Sequence, residues 1–589
     1  MQITYSRVVG VPRKVGLALA GISYLWALAS PVHAFNLDTD QDWKVNFDNT
    51  ILYNYGARAH GVNPLIGNNP VFAESDYRFP KAGDTVTDRV NLLSEFDATY
   101  QGRLGFRVSG AAWNDFAYSD MAQTNPSAFF PALPPNSLFP GYPGNPAVPY
   151  HSNYTNSQYS SYTNRFMVQG GELMDAFVFA NFDLGDRPST LRLGKLVQFW
   201  GNALFFGAAG INYGQSATDF IKQASVPGSQ VKELALPRGQ INFSTQVSDQ
   251  LQLGAQYFLE SAQDRLPPGG TYLGIVDFLF QGPNLMGVTG LPQLSSAVPK
   301  SANNNFGLEA KWSPNWLDGT LGFYYRRLDE SFPQGPIFGA NGYRLTYPTD
   351  VQLLGVSLDK QIGGVSTGVE MSYRKNTGLN TNGQIPSATD PNMNQGARGD
   401  TLNVIANAMS ILNRTPLYDT GTALVEVAYV RKLKVTDQAA RYEGVGTAAC
   451  VVPAGASGRD SGCSTDNAVM IAAAFEPQWL QALPGIDLSA PMFAMYGLSG
   501  NAASDGFLVK QGDVAYTLGI KAVMYQRYNL TLQFNGYHGP TAGMTNSGAA
   551  AGLPIPNGTP GFPQYYAGGN DMYQYNDRDW VSLSFSTTF

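Results

Sequence analysis

The chain has 589 residues, with 37 Lys and Arg against 44 Asp and Glu and a formal net charge of −7. Only 14% of its residues are charged, while 12% are aromatic and 64 are glycine; soluble globular domains carry about 25% charged residues. The charge argues against nucleic acid or an anionic surface as partner, and the composition sits poorly with a large soluble protein.

Residues 1–34 combine a basic start (Arg7, Arg13, Lys14), an apolar stretch from Val15 to about Ala29, and the small-x-small step Val32-His33-Ala34. They are expected to be a cleaved secretory signal peptide, because the apolar stretch is shorter than the roughly 20 residues that span a bilayer. Cutting after Ala34 removes three basic and no acidic residues, so the single mature domain, 35–589, carries −10. No later stretch reaches about 18 consecutive apolar residues, so no membrane helix is expected.

From Trp43 onward the chain alternates with a period of two. In WKVNFDNTILYNYGAR, Trp43, Val45, Phe47, Ile51, Tyr53 and Tyr55 share one face of a strand. The pair RVNLLSEFDATY and RLGFRVSGAAW, joined by the turn Gln101-Gly102, sends Val90, Leu92, Phe96, Leu104 and Phe106 to one face. Arg89, Glu95, Asp97, Arg103 and Arg107 go to the other. A charged inner face suits a water-filled lumen and not a dry core. Further strands are predicted at 171–183, 189–200, 240–248, 250–260, 305–313, 319–328, 350–361, 364–375, 400–412, 421–434, 466–476, 485–497, 511–525, 527–538 and 577–589. Short and long connections alternate between them, as in outer-membrane barrels. The fold class is therefore all-β: a transmembrane antiparallel up-and-down β-barrel of about eighteen strands, with sixteen the alternative. An even count puts both termini in the periplasm and lets the first strand pair with the last, which ends at Phe589.

The long connections are of two kinds. Residues 119–170 are rich in Pro, Asn, Ser and Tyr and read as an irregular exposed loop or a cover over the mouth. Residues 201–239 and 261–304 are apolar, which a merely solvated loop does not need. One or both are expected to fold into the lumen or build a greasy vestibule. On the inner register lie Trp113, Asp175, Phe177, Phe179, Arg192, Tyr324, Arg326, Glu370, Arg374 and Glu426, a mixed set without the single-sign ladder of an ion-selective pore. With Arg89, Arg103 and Arg107 they form the candidate lumen lining. Lys195 falls on the lipid face unless a bulge sits at Gly194. Cys450 and Cys463, in a Gly/Ser-rich loop, are expected to form one disulfide, and no His lies near enough to suggest a metal instead.

The stretch LRLGKLVQFWGNALFFGAAGINYGQSATDFIKQASVPGSQVKELALP, with EPQWLQALPGIDLSAPM and the final DRDWVSLSFSTTF, resembles the proteobacterial outer-membrane family called domain of unknown function 1302. The likeness runs over nearly the whole mature chain. It is carried by Gly194, Trp200-Gly201, Gly210-Ile211-Asn212, Pro227-Gly228-Ser229, Lys232-Glu233 and Pro237; Tyr213-Gly214 departs from the Asn-Pro-like step expected there. The resemblance implies the outer membrane of a Gram-negative bacterium, a genetic setting near envelope exporters and steroid-handling genes, and no settled activity. It also implies that Phe589 serves as the C-terminal signal read by the barrel-assembly machinery. Within this stretch Trp200, Gly201, Phe205, Phe206, Gly210, Ile211, Asn212, Pro227, Gly228, Lys232 and Glu233 are the candidate plug or gate. Trp200 is expected at the outer aromatic rim, and Lys232-Glu233 as an internal ion pair.

Two channel functions stay open: a transporter of hydrophobic or amphipathic small molecules, or a porin, specific or general, for polar solutes. An enzyme is not expected, since the sequence holds no Ser/His/Asp arrangement or metal spacing and His60, His151 and His538 fall in or near loops; a structural adhesin is the remaining class. No cofactor is called for. The expected partners are outer-membrane lipid, the assembly machinery, a small-molecule solute and a periplasmic or exporter component, with no nucleic acid.

Overall fold

Strands this long, apolar on one face and charged on the other, satisfy both faces only when the sheet closes on itself and each face gets its own solvent. The computed structural model describes residues 35–36, 42–69, 75, 78–118, 153–154, 158–274, 276–286, 291–299, 304–504, 508–546 and 564–589. The signal peptide expected over 1–34, most of the 119–170 loop and His151 lie outside these residues.

Eighteen antiparallel strands form the barrel. They are β1 (Trp43–Arg58), β2 (Thr85–Tyr100), β3 (Leu104–Asp115), β4 (Gln169–Leu184), β5 (Arg187–Leu196), β6 (Arg238–Ser248), β7 (Leu251–Phe258), β8 (Phe306–Trp312) and β9 (Gly319–Leu328). There follow β10 (Val351–Ile362), β11 (Val365–Gly378), β12 (Arg398–Leu412), β13 (Thr420–Asp437), β14 (Asn467–Leu483), β15 (Ile486–Ser489 and Met492–Ser499), β16 (Val514–Met524), β17 (Tyr528–His538) and β18 (Trp580–Thr588). Strand β15 is broken by Ala490-Pro491, where proline offers no N–H to the ladder. Each strand pairs with the next, and β18 returns to β1 from Thr50↔Thr588 to Arg58↔Trp580, so no edge is left. Phe589 extends that seam: its N–H donates to Asn49 O at 2.9 Å and its carbonyl accepts from Asn49 N at 2.8 Å.

The connections alternate in length as the sequence predicts. The shortest are two-residue turns, as at Gly363-Gly364, where φ is positive at both positions (56° and 84°), a geometry whose twist matches the strands. The outward face is apolar. Val178, Leu308, Phe323, Leu354, Leu518 and Ile520 are exposed, which only a lipid environment rewards. Trp43 on Tyr100 (5.1 Å between ring centroids), Trp312 on Trp316 (6.1 Å) and Tyr418 on Phe475 (6.2 Å) gather at the short-turn end, an aromatic girdle at one membrane interface.

Two expectations about β5 are corrected. The strand ends at Leu196 and not at Trp200, because the chain there turns into the lumen. No bulge forms at Gly194: the β4 ladder runs unbroken from Leu184↔Arg187 to Ala176↔Lys195, and Gly194 instead takes φ +133°. The bulge sits across from it, where Val108 and Gly110 of β3 face Ala176 and Leu173 of β4.

Candidate functional site

Residues 197–237, between β5 and β6, run through the interior. In an eighteen-stranded barrel, strands nine apart stand on opposite walls. The segment touches β9, β11 and β13 on one side and β18, β1 and β2 on the other, so it crosses the lumen.

An irregular backbone inside a barrel must find partners for its N–H and C=O groups. Here the wall supplies them by charge. Glu426, fully buried on β13, accepts from the N–H groups of Leu204 (2.6 Å), Phe205 (2.8 Å) and Phe206 (2.6 Å). Glu370 on β11 accepts from Asn202 N (2.6 Å) and Ile211 N (2.8 Å). Guanidiniums take the carbonyls of the same strip. Arg374 donates to Ala208 O (2.6 Å) and Gly210 O (2.7 Å), Arg326 to Ile211 O (2.8 Å) and Tyr213 O (2.6 Å). Arg238, just after the segment, donates to Gly214 O at 3.4 Å and lies 3.5 Å from the Phe258 ring centroid. Charge-assisted bonds of this kind are about twice as strong as neutral ones.

Apolar packing finishes the first half. Phe206 and Ala209 press on Ile405, Ala428, Val430, Met470 and Ala472 of the inner wall, and Ile211 on Leu328, Val351 and Leu353. Trp200 is only 2% exposed and packs at a tilt against Tyr324, with ring centroids 6.2 Å apart. A Cβ on Gly307 would lie 2.5 Å from its ring, so that glycine makes the room. Trp200 is thus an interior anchor and not a rim residue. Its backbone N–H donates to Gln215 Oε1 (2.7 Å), and a chain of amides runs on from Gln215 through Gln256 and Gln240 to Leu196 O.

The return half is held by ions as well. Asp219 caps the short helix Phe220–Ser225 and pairs with Arg265 at 3.1 Å; Lys222 pairs with Glu172 of β4 at 3.3 Å, and Arg265 closes the set onto Glu172. Pro227 O accepts from Ser584 Oγ of β18 at 3.0 Å, beside Gly228, where a Cβ would lie 3.3 Å from Leu52 of β1. Lys232 and Glu233 do not pair with each other. Lys232 reaches Glu95 of β2, and Glu233 accepts from Gln230 N at 3.0 Å in a capping box, because the helix Val231–Leu234 needs its first N–H groups met.

All eleven predicted plug residues, from Trp200 to Glu233, lie on this segment. The predicted lining residues divide. Arg326, Glu370, Arg374 and Glu426 face the segment and not open water, since their charges are spent on its backbone, and Tyr324 faces it through its contact with Trp200. Arg89 donates to Phe166 O (3.0 Å) and lies over Trp113, whose indole donates to Arg165 O (3.0 Å). Arg107 pairs with Glu95 and with Asp175 at 3.1 Å. Phe177 and Phe179 stay half-buried 6.4 Å apart, and Arg192 is exposed on the inner face. Arg103 is a correction: it sits in the exposed turn after Gln101-Gly102, where the chain has left the strand. Sequence reasoning missed Arg238, Lys222, Glu172, Arg265 and the glutamine chain. A glutamine on an inner register was a usable hint, but partners on different strands and loops, most of them more than 40 residues apart, leave no local trace.

The 259–305 connection covers the long-loop end. Tyr272 and Leu273 pack with Phe79, Tyr118, Tyr154, Tyr159 and Trp580, and Ile221 joins the segment to this cover. In the same connection burial raises the Asp264 carboxyl to about 7, although it accepts from Thr218 N at 2.7 Å at the segment's turning point. Cys450 and Cys463 are joined, with Cα atoms 5.7 Å apart. Among the described residues no group of three or more His, Cys, Asp or Glu is placed to hold a metal ion.

Solved barrels resemble the chain over almost their whole length. OccAB3 of Acinetobacter baumannii is 12% identical and covers 92% of this chain and 99% of its own, with a TM-score of 0.37. OccK2 (OpdF) of Pseudomonas aeruginosa, solved with glucuronate, is 10% identical over 95% and 99%, with a TM-score of 0.38. The outer membrane channel DcaP of Acinetobacter baumannii is 9% identical over 95% and 100%, with a TM-score of 0.33. Likeness at this level carries no activity across. No curated protein matches the chain. The pattern of the family DUF1302, described as a protein of unknown function, matches residues 15–589, and the chain belongs to that family.

Proposed function

We propose that the protein is an outer-membrane channel gated by residues 197–237, and that it passes hydrophobic or amphipathic small molecules. The observation that carries this reading is the segment's path from wall to opposite wall, held by carboxylates and guanidiniums. Such a hold is reversible, because water can replace each bond as the segment leaves.

The solute class follows from the wall behind the segment. Its withdrawal bares Ile405, Ala428, Val430 and Met470 beside Arg326 and Arg374. Nε of both arginines and Nη2 of Arg326 are buried without a protein partner among the described residues. An apolar patch next to unspent cationic donors suits a molecule with an apolar body and a polar or acidic head. Leu204, 47% exposed inside the barrel, adds apolar surface on the segment itself.

A polar porin is the second reading. The short-turn half of the inner face favours it, with Asn46 bonded to Asp97 (2.9 Å), Asn181 to Thr190 (2.9 Å), and Arg192 exposed. Flux into proteoliposomes separates the two. An amphipathic fluorescent acid should enter faster than a sugar of equal size. Equal or inverted rates would sink the hydrophobic-solute reading and leave the porin.

A further inference from the structure

We infer that the membrane-facing side of strands β6–β13 holds a binding site for a phosphorylated, acylated lipid of the outer leaflet. The site is on the outside of the barrel and does not depend on which solute the lumen passes.

Two cavities on that face meet along β9–β12, the lower extending over β6–β8 and the upper over β13. The lower, about 790 Å³, is apolar: Ala255 and Ala310 make a shallow floor between Phe243, Leu308, Phe323 and Leu354. The upper, about 380 Å³, is polar and contains Arg327, Gln352, Lys375, Asp400 and Lys434. The register makes them continuous. Tyr325, Leu354, Tyr373 and Leu402 border the lower cavity, and Arg327, Gln352, Lys375 and Asp400 border the upper. Each member of the second set is two residues from its counterpart on β9, β10, β11 or β12, always toward the long loops. A two-residue step keeps the same face and rises about 6.6 Å. The apolar hollow therefore lies at acyl-chain depth, tyrosines mark the interface, and cations stand where headgroup phosphates lie.

The charge complements a phosphate. Arg327 is held by Asp350, and Lys434 by Asp400 at 3.2 Å, with Tyr373 Oη donating to the same Asp400 at 2.7 Å. These pairs fix the frame. Lys375 is exposed and has no hydrogen bond or ion pair among the described residues. Arg431, opposite Leu402 on β13, is exposed and equally free. Four cations thus face two carboxylates on a chain whose net charge is −7. A soluble phosphate would use the upper cavity alone; the hollow beneath it needs acyl chains.

The test is native mass spectrometry of the full-length protein in detergent, with diphosphoryl lipid A or phosphatidylcholine added. Wild type should retain lipid A at least tenfold over phosphatidylcholine. A Lys375→Ala, Arg431→Ala, Lys434→Ala variant should lose that preference, and Ala310→Trp should lower retention of lipid A by filling the hollow. Gel mobility before and after heating shows whether each barrel is folded, and Lys375→Gln with Arg431→Gln serves if the triple variant is not. Equal retention of both lipids by wild type, or undiminished lipid A on the folded charge variants, overturns the site. So does a dimer of this chain that Ala310→Trp dissociates, because a second copy would then own the face.

Discussion

Replacing Glu426 tests the gate at its firmest point. Its carboxylate is fully buried and accepts three backbone N–H bonds of 2.6–2.8 Å from Leu204, Phe205 and Phe206. Hydrogen bonds to charged groups contribute about 1.5–3 kcal/mol each, so the gross hold of the three is about 4.5–9 kcal/mol. Water entering the vacated space recovers part of this, leaving about 3–5 kcal/mol, the usual penalty for breaking a buried charged contact. Moving a two-state equilibrium from 1:99 to 99:1 takes about 5.5 kcal/mol. Glu426→Ala should therefore turn a rarely open channel into one open for much of the time. Glu426→Gln should fall between. Phe205 and Phe206 bond Oε1 and Leu204 bonds Oε2, so an amide keeping its oxygen at Oε1 preserves two bonds and opposes the third with an NH2 group. Open probability in a planar bilayer should rank Ala above Gln above wild type. If folded Glu426→Ala conducts as wild type does, the carboxylate does not hold a gate and the reasoning fails.

Three further outcomes concern other parts of the chain. Asp264 is held by burial at about 7, above its usual 3.8, so the docked state favours the neutral acid, and its stabilisation relative to the undocked state is lost as pH rises from 3.8 to about 7. Hydrogen exchange at residues 217–222, corrected for intrinsic rate, should lose protection progressively from about pH 4 to about pH 7 and level off above that, and Asp264→Asn should flatten the dependence. Deleting Phe589 removes both bonds to Asn49 at the barrel seam and should lower the heat-modifiable, folded fraction in cell envelopes; an unchanged fraction would deny it a part in assembly. Reducing Cys450–Cys463 frees a loop of sequence separation 13 and should weaken it locally by about 3 kcal/mol. Protease should then cut within 443–465 while the barrel keeps its gel mobility.

The barrel was legible because a strand's two faces obey a local rule. From Trp43 to Phe589 every spanning segment alternates, and the alternation alone places Glu370, Arg374 and Glu426 on the inner side. What those charges do was not legible. Glu426 meets residues more than 200 positions earlier, and no spacing in the sequence announces it. The apolar character of 201–239 did point inward, since Phe206 and Ile211 had to be covered by something. Trp200 misled because a Trp at a strand end usually marks the membrane rim; only the turn after Leu196 sends it inside.

The choice of charges over an all-apolar plug has a physical reason. An apolar plug would seal by burial, and burial is non-directional, so the segment could slide without losing its hold. Backbone groups answered by fixed carboxylates and guanidiniums fit in one register only. Glu370 and Arg374, four residues apart on β11, illustrate it: the first takes Ile211 N, the second gives to Gly210 O, and a shift of one residue would set carboxylate against carbonyl. The same pairing makes release all-or-none, because a displaced strip leaves buried charges on the wall that demand water at once. On the proposed function, a segment held in this way would have two well-defined positions and little between them, which suits a gate better than a permanent plug.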